Sequence, residues 1–209
     1  MFLKDWLQEV VPIINLDSAW QWLFIAVIML LVVLIYLVIH RRKKTLKARL
    51  LEKALQPLRA DEVRSIVIPD GIGGVLEVER LLLMEQGLLV LETYPLAGHL
   101  FGAEHIDQWT QIIEGRSYKF PNPLRHVHNS MHALQMLAPK VPIFCRVVFT
   151  GEGDFPKGKP AEVSVIATLE HDLQAVIDAP KMATASKKAW QSILRIARKD
   201  GHEVLKEAT

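Results

Sequence analysis

The chain has 209 residues, half of them hydrophobic, with 25 Lys and Arg against 23 Asp and Glu. That apolar content excludes a globally disordered chain, and the net −7 of residues 61–180 excludes a domain that grips nucleic acid by phosphate contacts alone. The single cysteine, Cys145, excludes an internal disulfide framework and any multi-cysteine metal centre.

In residues 1–18, Phe2, Leu3, Trp6, Leu7, Val10 and Val11 recur at roughly helical spacing up to Pro12, as in a leader lying on a membrane interface. From Ala19 to Ile39 no charge occurs and Gln21 is the one amide. As a helix this run is about 31 Å long, against a hydrocarbon core of about 30 Å. Trp20, Trp22 and Tyr36 sit near its ends, where amphipathic rings favour the interface. A cleaved signal peptide fits poorly, because the run is too long and His40-Arg41-Arg42-Lys43-Lys44 follows it like a stop-transfer signal. Residues 1–39 carry a net −2 and residues 40–60 a net +7. By the positive-inside rule the chain is expected to be single-pass in the cell membrane, N-terminus outside, with the remainder cytoplasmic. The basic run itself reads as topology and lipid-headgroup contact rather than as a nucleic-acid site.

Within the basic juxtamembrane linker, residues 40–60, Thr45 to Gln56 is expected to form a short helix stopped by Pro57. Strands are expected at Val63–Ile68, Leu76–Leu83 and Leu88–Thr93, with a turn at Asp70-Gly71-Ile72-Gly73-Gly74. No Lys-Ser/Thr follows those glycines, so they are not a phosphate loop. Further strands are expected near His99–Phe101, Trp109–Ile112 and Ser117–Phe120. Asn122 can cap a helix that has Pro123 at its first position and runs to about Ala138. Arg146–Thr150 reads as a buried strand, Gly151–Pro160 as a loop, and Leu169–Ile177 and Thr184–Lys199 as helices. That order gives an α/β fold, a single transmembrane helix followed by a mixed sheet flanked by helices. Cys145, inside Ile143-Phe144-Cys145-Arg146-Val147-Val148, reads as a buried core thiol. The C-terminal helix, with Trp190, Ile193, Leu194 and Ala197 on one side, reads as a packing helix with a basic outer face; docking to an anionic surface is the sharper alternative.

With Glu85 and Gln86 at a two-residue hairpin tip, Met84 faces Gly87 and Glu79 faces Glu92. Regular alternation would put both carboxylates on one side of the sheet, with Glu77 beside them. Like charges so placed repel, and a divalent cation is one way to offset them; a solvated edge or a basic partner is the other. The expectation depends on the register.

His128 and His132 share a helix face at a spacing that can chelate zinc, but no acidic residue nearby in sequence completes a site, so they read as solvent-facing. Ser130 and Ser164 lack a nucleophile-elbow motif.

The succession Leu76-Glu77-Val78-Glu79-Arg80-Leu81-Leu82-Leu83, Gly87-Leu88-Leu89-Val90-Leu91-Glu92-Thr93-Tyr94, Gly98-His99-Leu100-Phe101-Gly102 with Trp109-Thr110, Phe120-Pro121-Asn122-Pro123-Leu124 and Val147-Val148-Phe149-Thr150 resembles the NERD, or nuclease-related, domain of the PD-(D/E)XK, restriction-endonuclease-like superfamily. The resemblance implies a NERD-like domain over residues 61–178, ahead of the C-terminal segment 179–209, and a role in DNA processing. It places the family's hairpin acid on Glu79, where Asp is usual, and the Glu of its Glu-x-Lys element on Glu92. The lysine of that element falls on Tyr94 and a following glutamine on His126; Glu52 or Glu62 could stand for a helical glutamate. In an active enzyme Glu79 and Glu92 would hold Mg²⁺ or Mn²⁺, with Tyr94 or His126 near the attacking water. Tyr94 supplies no cation at neutral pH, and Glu79 carries one methylene more than Asp. The expected function is therefore a membrane-bound, catalytically weakened or inactive derivative that binds in a nucleic-acid context or acts as a scaffold. The alternative is an active metal-dependent DNA nuclease. The expected partners are the lipid bilayer and DNA.

Overall fold

A computed structural model describes residues 19–199, which fall into two units meeting between Leu46 and Lys47. The leader expected before residue 19 and the chain after residue 199 lie outside the described residues.

Helix α1 spans Ala19–Leu55. Its apolar side chains from Trp22 to Ile39 are exposed, and its most apolar window reaches a mean hydropathy of 3.2. By length and composition it can cross a membrane. The separate helix expected at Thr45–Gln56 is instead the last part of α1. No glycine or proline occurs between Ala19 and Gln56, so nothing in the basic run breaks the hydrogen-bond ladder.

From Lys47 onward the second unit is built on a mixed sheet. Strands β1 (Asp61–Pro69), β2 (Val75–Leu83), β3 (Leu88–Tyr94), β7 (Ile143–Phe149), β9 (Val163–Val165) and β10 (Arg198–Lys199) are ordered β10-β1-β2-β3-β7-β9. The pairs from β10 to β3 are antiparallel, and β3, β7 and β9 run parallel. A second sheet is ordered β6-β5-β4-β8, from β4 (Gly98–Phe101), β5 (Gln108–Ile113), β6 (Arg116–Pro121) and β8 (Gly153–Asp154).

Helix α2 (Pro123–Leu137) begins where the sequence signals it: the Asn122 side chain accepts the Leu124 N–H at 2.9 Å, with Pro123 in the first turn. The Asn122 amide also donates to the carbonyls of Glu104 and Ile106, so one buried residue caps the helix and pins the β4–β5 loop. Leu124, Val127 and Leu134 recur at helical spacing and seat α2 on one side of the large sheet. There they join Leu81, Leu88, Val90, Val147, Trp109, Phe149 and, from α5 (Ala183–Ile196), Trp190 and Ile193. Of the side expected to pack, Trp190 and Ile193 are buried there, whereas Leu194 is exposed. The helix ends at Ile196, and Arg198–Lys199 pair with β1 instead of continuing it.

The other side of the sheet is covered by Leu51, Ala54 and Leu55 of α1 and by α3 (Leu169–Asp172) and α4 (Gln174–Ile177), packed on Leu82, Leu89, Leu91 and Val148. The single helix expected at Leu169–Ile177 is these two short ones. Strands β8, β9 and β10 were not expected; at two or three residues each they are too short to show a period.

The Asp70–Gly74 turn forms as expected, with Asp70 Oδ1 accepting the N–H groups of Ile72 and Gly74. Gly71 and Gly73 take φ of 82° and 101°, values open to glycine and costly for other residues.

Candidate functional site

The β2–β3 hairpin has the expected tip and register: Met84 N–H donates to Gly87 O, and Arg80 pairs with Leu91. The ladder stops there, one residue short of Glu79 and Glu92. Opposite Glu79 on β1 lies Ser65, bracketed by the pairs Arg64–Arg80 and Ile66–Val78, with a φ of 49°. A residue in this left-handed region interrupts the alternation of sides. Val63 and Ile66, three apart, face the same core; so do Val78 and Leu81.

The consequence for the two carboxylates is a correction to the expected shared face. On β3, Leu89 and Leu91 face α1, whereas Leu88 and Val90 face α2. Thr93 thus falls on the α1 side and Glu92 on the α2 side. The Glu79 carboxylate is held by Thr93, accepting its N–H at 2.7 Å and its hydroxyl at 2.6 Å. In a continued ladder that N–H would have paired across β2; the Glu79 side chain fills the gap. Glu79 and Thr93 line a cavity of about 330 Å³ with Ala48, Leu51, Glu52 and Arg80.

Glu92, only 4% exposed, faces α2. Its Oε2 accepts the Tyr94 hydroxyl at 3.2 Å. Its Oε1 lies 3.1 Å from His126 Nε2, an ion-pair distance, but the ring nitrogen is directed at Glu77 O, also 3.1 Å away. Among the described residues no hydrogen-bond donor reaches this buried Oε1. Burial raises the Glu92 carboxyl above its ordinary range; His126 and the Tyr94 hydrogen bond oppose this, and the charge of Glu79 adds to it. Burial and the two glutamates push the Tyr94 hydroxyl well above the usual phenol range, so it is a hydrogen-bond donor and not a base.

The structure therefore brings Glu92, Tyr94 and His126 together on one side and places Glu79 with Thr93 on the other. For one divalent ion bound by both glutamates this donor set does not fit: the carboxylates diverge across β3, and both Glu79 oxygens already accept hydrogen bonds.

A feature absent from the sequence reading is an ion cluster beside Glu79. Arg80, 5% exposed, donates to Glu52 Oε1 and Glu62 Oε1, each at 2.8 Å. Arg64 reaches the same two oxygens at 2.9 and 2.6 Å, and Arg59 binds both glutamates through their Oε2 atoms. Burial pushes the Glu52 and Glu62 carboxyls up, but the arginines outweigh it and hold both below the ordinary range. The signal for this cluster was Arg80 itself, the lone charge on the inward side of an otherwise apolar strand segment.

A mixed sheet covered by helices on both sides, with acidic residues where the β2–β3 hairpin splays, defines a restriction-endonuclease-like α/β domain. The family model described as nuclease-related domain, NERD, matches residues 41–150, more than half of the chain, and the chain belongs to that family. Glu52, Glu62, Glu79, Glu92 and His126 all lie inside the matched residues. The chain is 24% identical over 136 residues to an uncharacterized protein of Bacillus anthracis, covering 62% of this chain and 61% of that one. No solved structure matches it.

Proposed function

We propose that this protein is a single-pass membrane protein whose cytoplasmic NERD domain has turned its nuclease motif into structure and serves as a nucleic-acid-related binding or scaffold module. The carrying observation is how the motif acids are engaged. Glu79 ties β2 to β3 through Thr93, and Glu92 is enclosed by Tyr94, His126 and the sheet. Tyr94 stands where the family has lysine, so nothing in that position offsets charge on a phosphate. Helix α1 supplies the span, and the +7 net charge of residues 40–60 favours an anionic cytoplasmic leaflet.

A second reading, an active Mg²⁺- or Mn²⁺-dependent DNA nuclease, is favoured by one observation: Glu92 Oε1 is buried and lacks a donor among the described residues. In that reading Glu79 would have to leave Thr93, with Tyr94 or His126 beside the attacking water.

The test uses the full chain in detergent, incubated with linear, circular and single-stranded DNA and either metal, alongside Glu92→Gln. The expected outcome is no metal-dependent cleavage by either protein. Cleavage by the wild type that disappears in Glu92→Gln would overturn the scaffold reading.

A further inference from the structure

A second cluster of ligating side chains lies on the α2 side of the sheet, away from Glu79. Successive α2 residues are turned by about 100°. Val127, fully buried, points into the sheet, so His126 and His128 flank it on opposite sides. His126 meets Glu92; His128 meets the segment that leads into β9. There His128 Nε2 lies 2.6 Å from Glu162 Oε2.

Cys145 completes the group. It pairs with Val90 in the parallel β3–β7 register and faces the α2 core. One ligand atom from each of His128, Cys145 and Glu162 lies within 4.8 Å of the other two. Three separate segments thus converge: α2, the third residue of β7, and the residue before β9. Glu162 O also accepts the Val147 N–H at 2.9 Å, so its backbone is fixed to β7 beside the cysteine. This is the acidic partner that no spacing around His128 and His132 could reveal; His132 is exposed and takes no part.

We infer that His128, Cys145 and Glu162 form a binding site for a divalent transition metal of the zinc class. Thiolate, imidazole and carboxylate are each zinc ligands, and three protein ligands with one open position are a known zinc arrangement; Mg²⁺, which takes oxygen donors, is disfavoured by the sulfur. Bond lengths of about 2.0–2.3 Å separate tetrahedral ligands by about 3.3–3.8 Å, so the histidine–glutamate contact opens by about 0.7 Å on binding. The path for the ion is from solvent, because the His128 and Glu162 side chains are 32% and 37% exposed while Cys145 is 6% exposed. Without metal, burial and the Glu162 carboxylate push the thiol pKa up to about 12, so the sulfur holds its proton and releases it on coordination. Bound metal would tie the edge strand β9 to β7 and α2. This site is independent of the fate of the nuclease motif.

The full chain in detergent, treated with chelator and titrated with Co²⁺ and then Zn²⁺, tests the assignment. The wild type is expected to bind one Co²⁺ with sulfur-to-cobalt charge-transfer absorption in the near ultraviolet, which Zn²⁺ then abolishes. Cys145→Ser is expected to lose that absorption. Glu162→Gln, at a partly exposed position that spares the fold, is expected to weaken binding by at least the roughly tenfold that even outer-shell losses cost. Glu92→Gln is expected to bind like the wild type. Absence of binding by the wild type, a cobalt spectrum without the sulfur band, or affinity lost in Glu92→Gln but kept in Glu162→Gln would overturn the site.

Discussion

Replacing Arg80 by Met removes the guanidinium that Glu52 and Glu62 share, while keeping most of the side-chain volume. Removing one partner of a buried pair costs about 3–5 kcal/mol, because the other charge stays buried. Glu62, 10% exposed, carries most of this penalty. Glu52 is 38% exposed and adds little, as surface pairs are worth about 0–1 kcal/mol. Arg59 and Arg64 still reach both acids, which places the loss at the lower end, about 3 kcal/mol. At about 2–4 °C per kcal/mol for a domain of this size, Tm falls by about 6–12 °C. Thermal melting of the full chain in detergent, followed by tryptophan fluorescence, measures it. The pH dependence gives a second readout. Both carboxyls are held low in the folded chain, so their contribution is whole above the unfolded value of about 4.3 and is lost as pH falls through the folded values. In Arg80→Met, Glu62 keeps its burial and loses its buried partner, so the acid loss begins at higher pH. Adding Glu62→Gln to Arg80→Met should give a total loss at least about 1 kcal/mol below the two single losses summed, because both remove the same buried contact. A loss below about 1 kcal/mol for Arg80→Met, or losses that simply add in the double variant, would refute the cross-link.

Thr93→Val keeps the shape of the side chain but removes the hydroxyl that Glu79 accepts; with Glu79 partly exposed, the expected cost is about 1–1.5 kcal/mol, and a melt unchanged within error would show that Glu79 is not held there. Glu92→Gln should melt no lower than the wild type at pH 7. Burial and Glu79 raise the Glu92 carboxyl, so its contribution favours folding below the unfolded value and becomes a cost as pH rises through the folded value. The advantage of Glu92→Gln should shrink toward pH 4; a variant that melts lower at pH 7 and gains as pH falls would contradict it.

The amino-acid sequence by itself determined what depends on local chemistry. The uncharged run to Ile39 is one long helix, Asp70 and its glycines make a turn, Asn122 and Pro123 start a helix, and the two-residue tip at Glu85–Gln86 sets the hairpin register at Arg80–Leu91. These signals lie within a few residues of one another, where backbone sterics and capping decide the outcome. The ordered strand motifs likewise carried the family relationship, which the match over residues 41–150 shows.

Tertiary structure decided which side of the sheet each functional group reaches. Register arithmetic put Glu79 opposite Glu92, yet alternation breaks at the left-handed Ser65 and at its neighbour on β2, and Glu79 lies on the α1 side with Thr93. The break runs across β1 and β2 together, and nothing in the β2 or β3 sequence marks it. The arginine cluster joins Glu52 to Arg80 across 28 positions, and Glu162 meets His128 across 34. Both contacts come from sheet order and helix placement, because burying apolar surface on both sides of one sheet brings distant charged and ligating residues together at its margins.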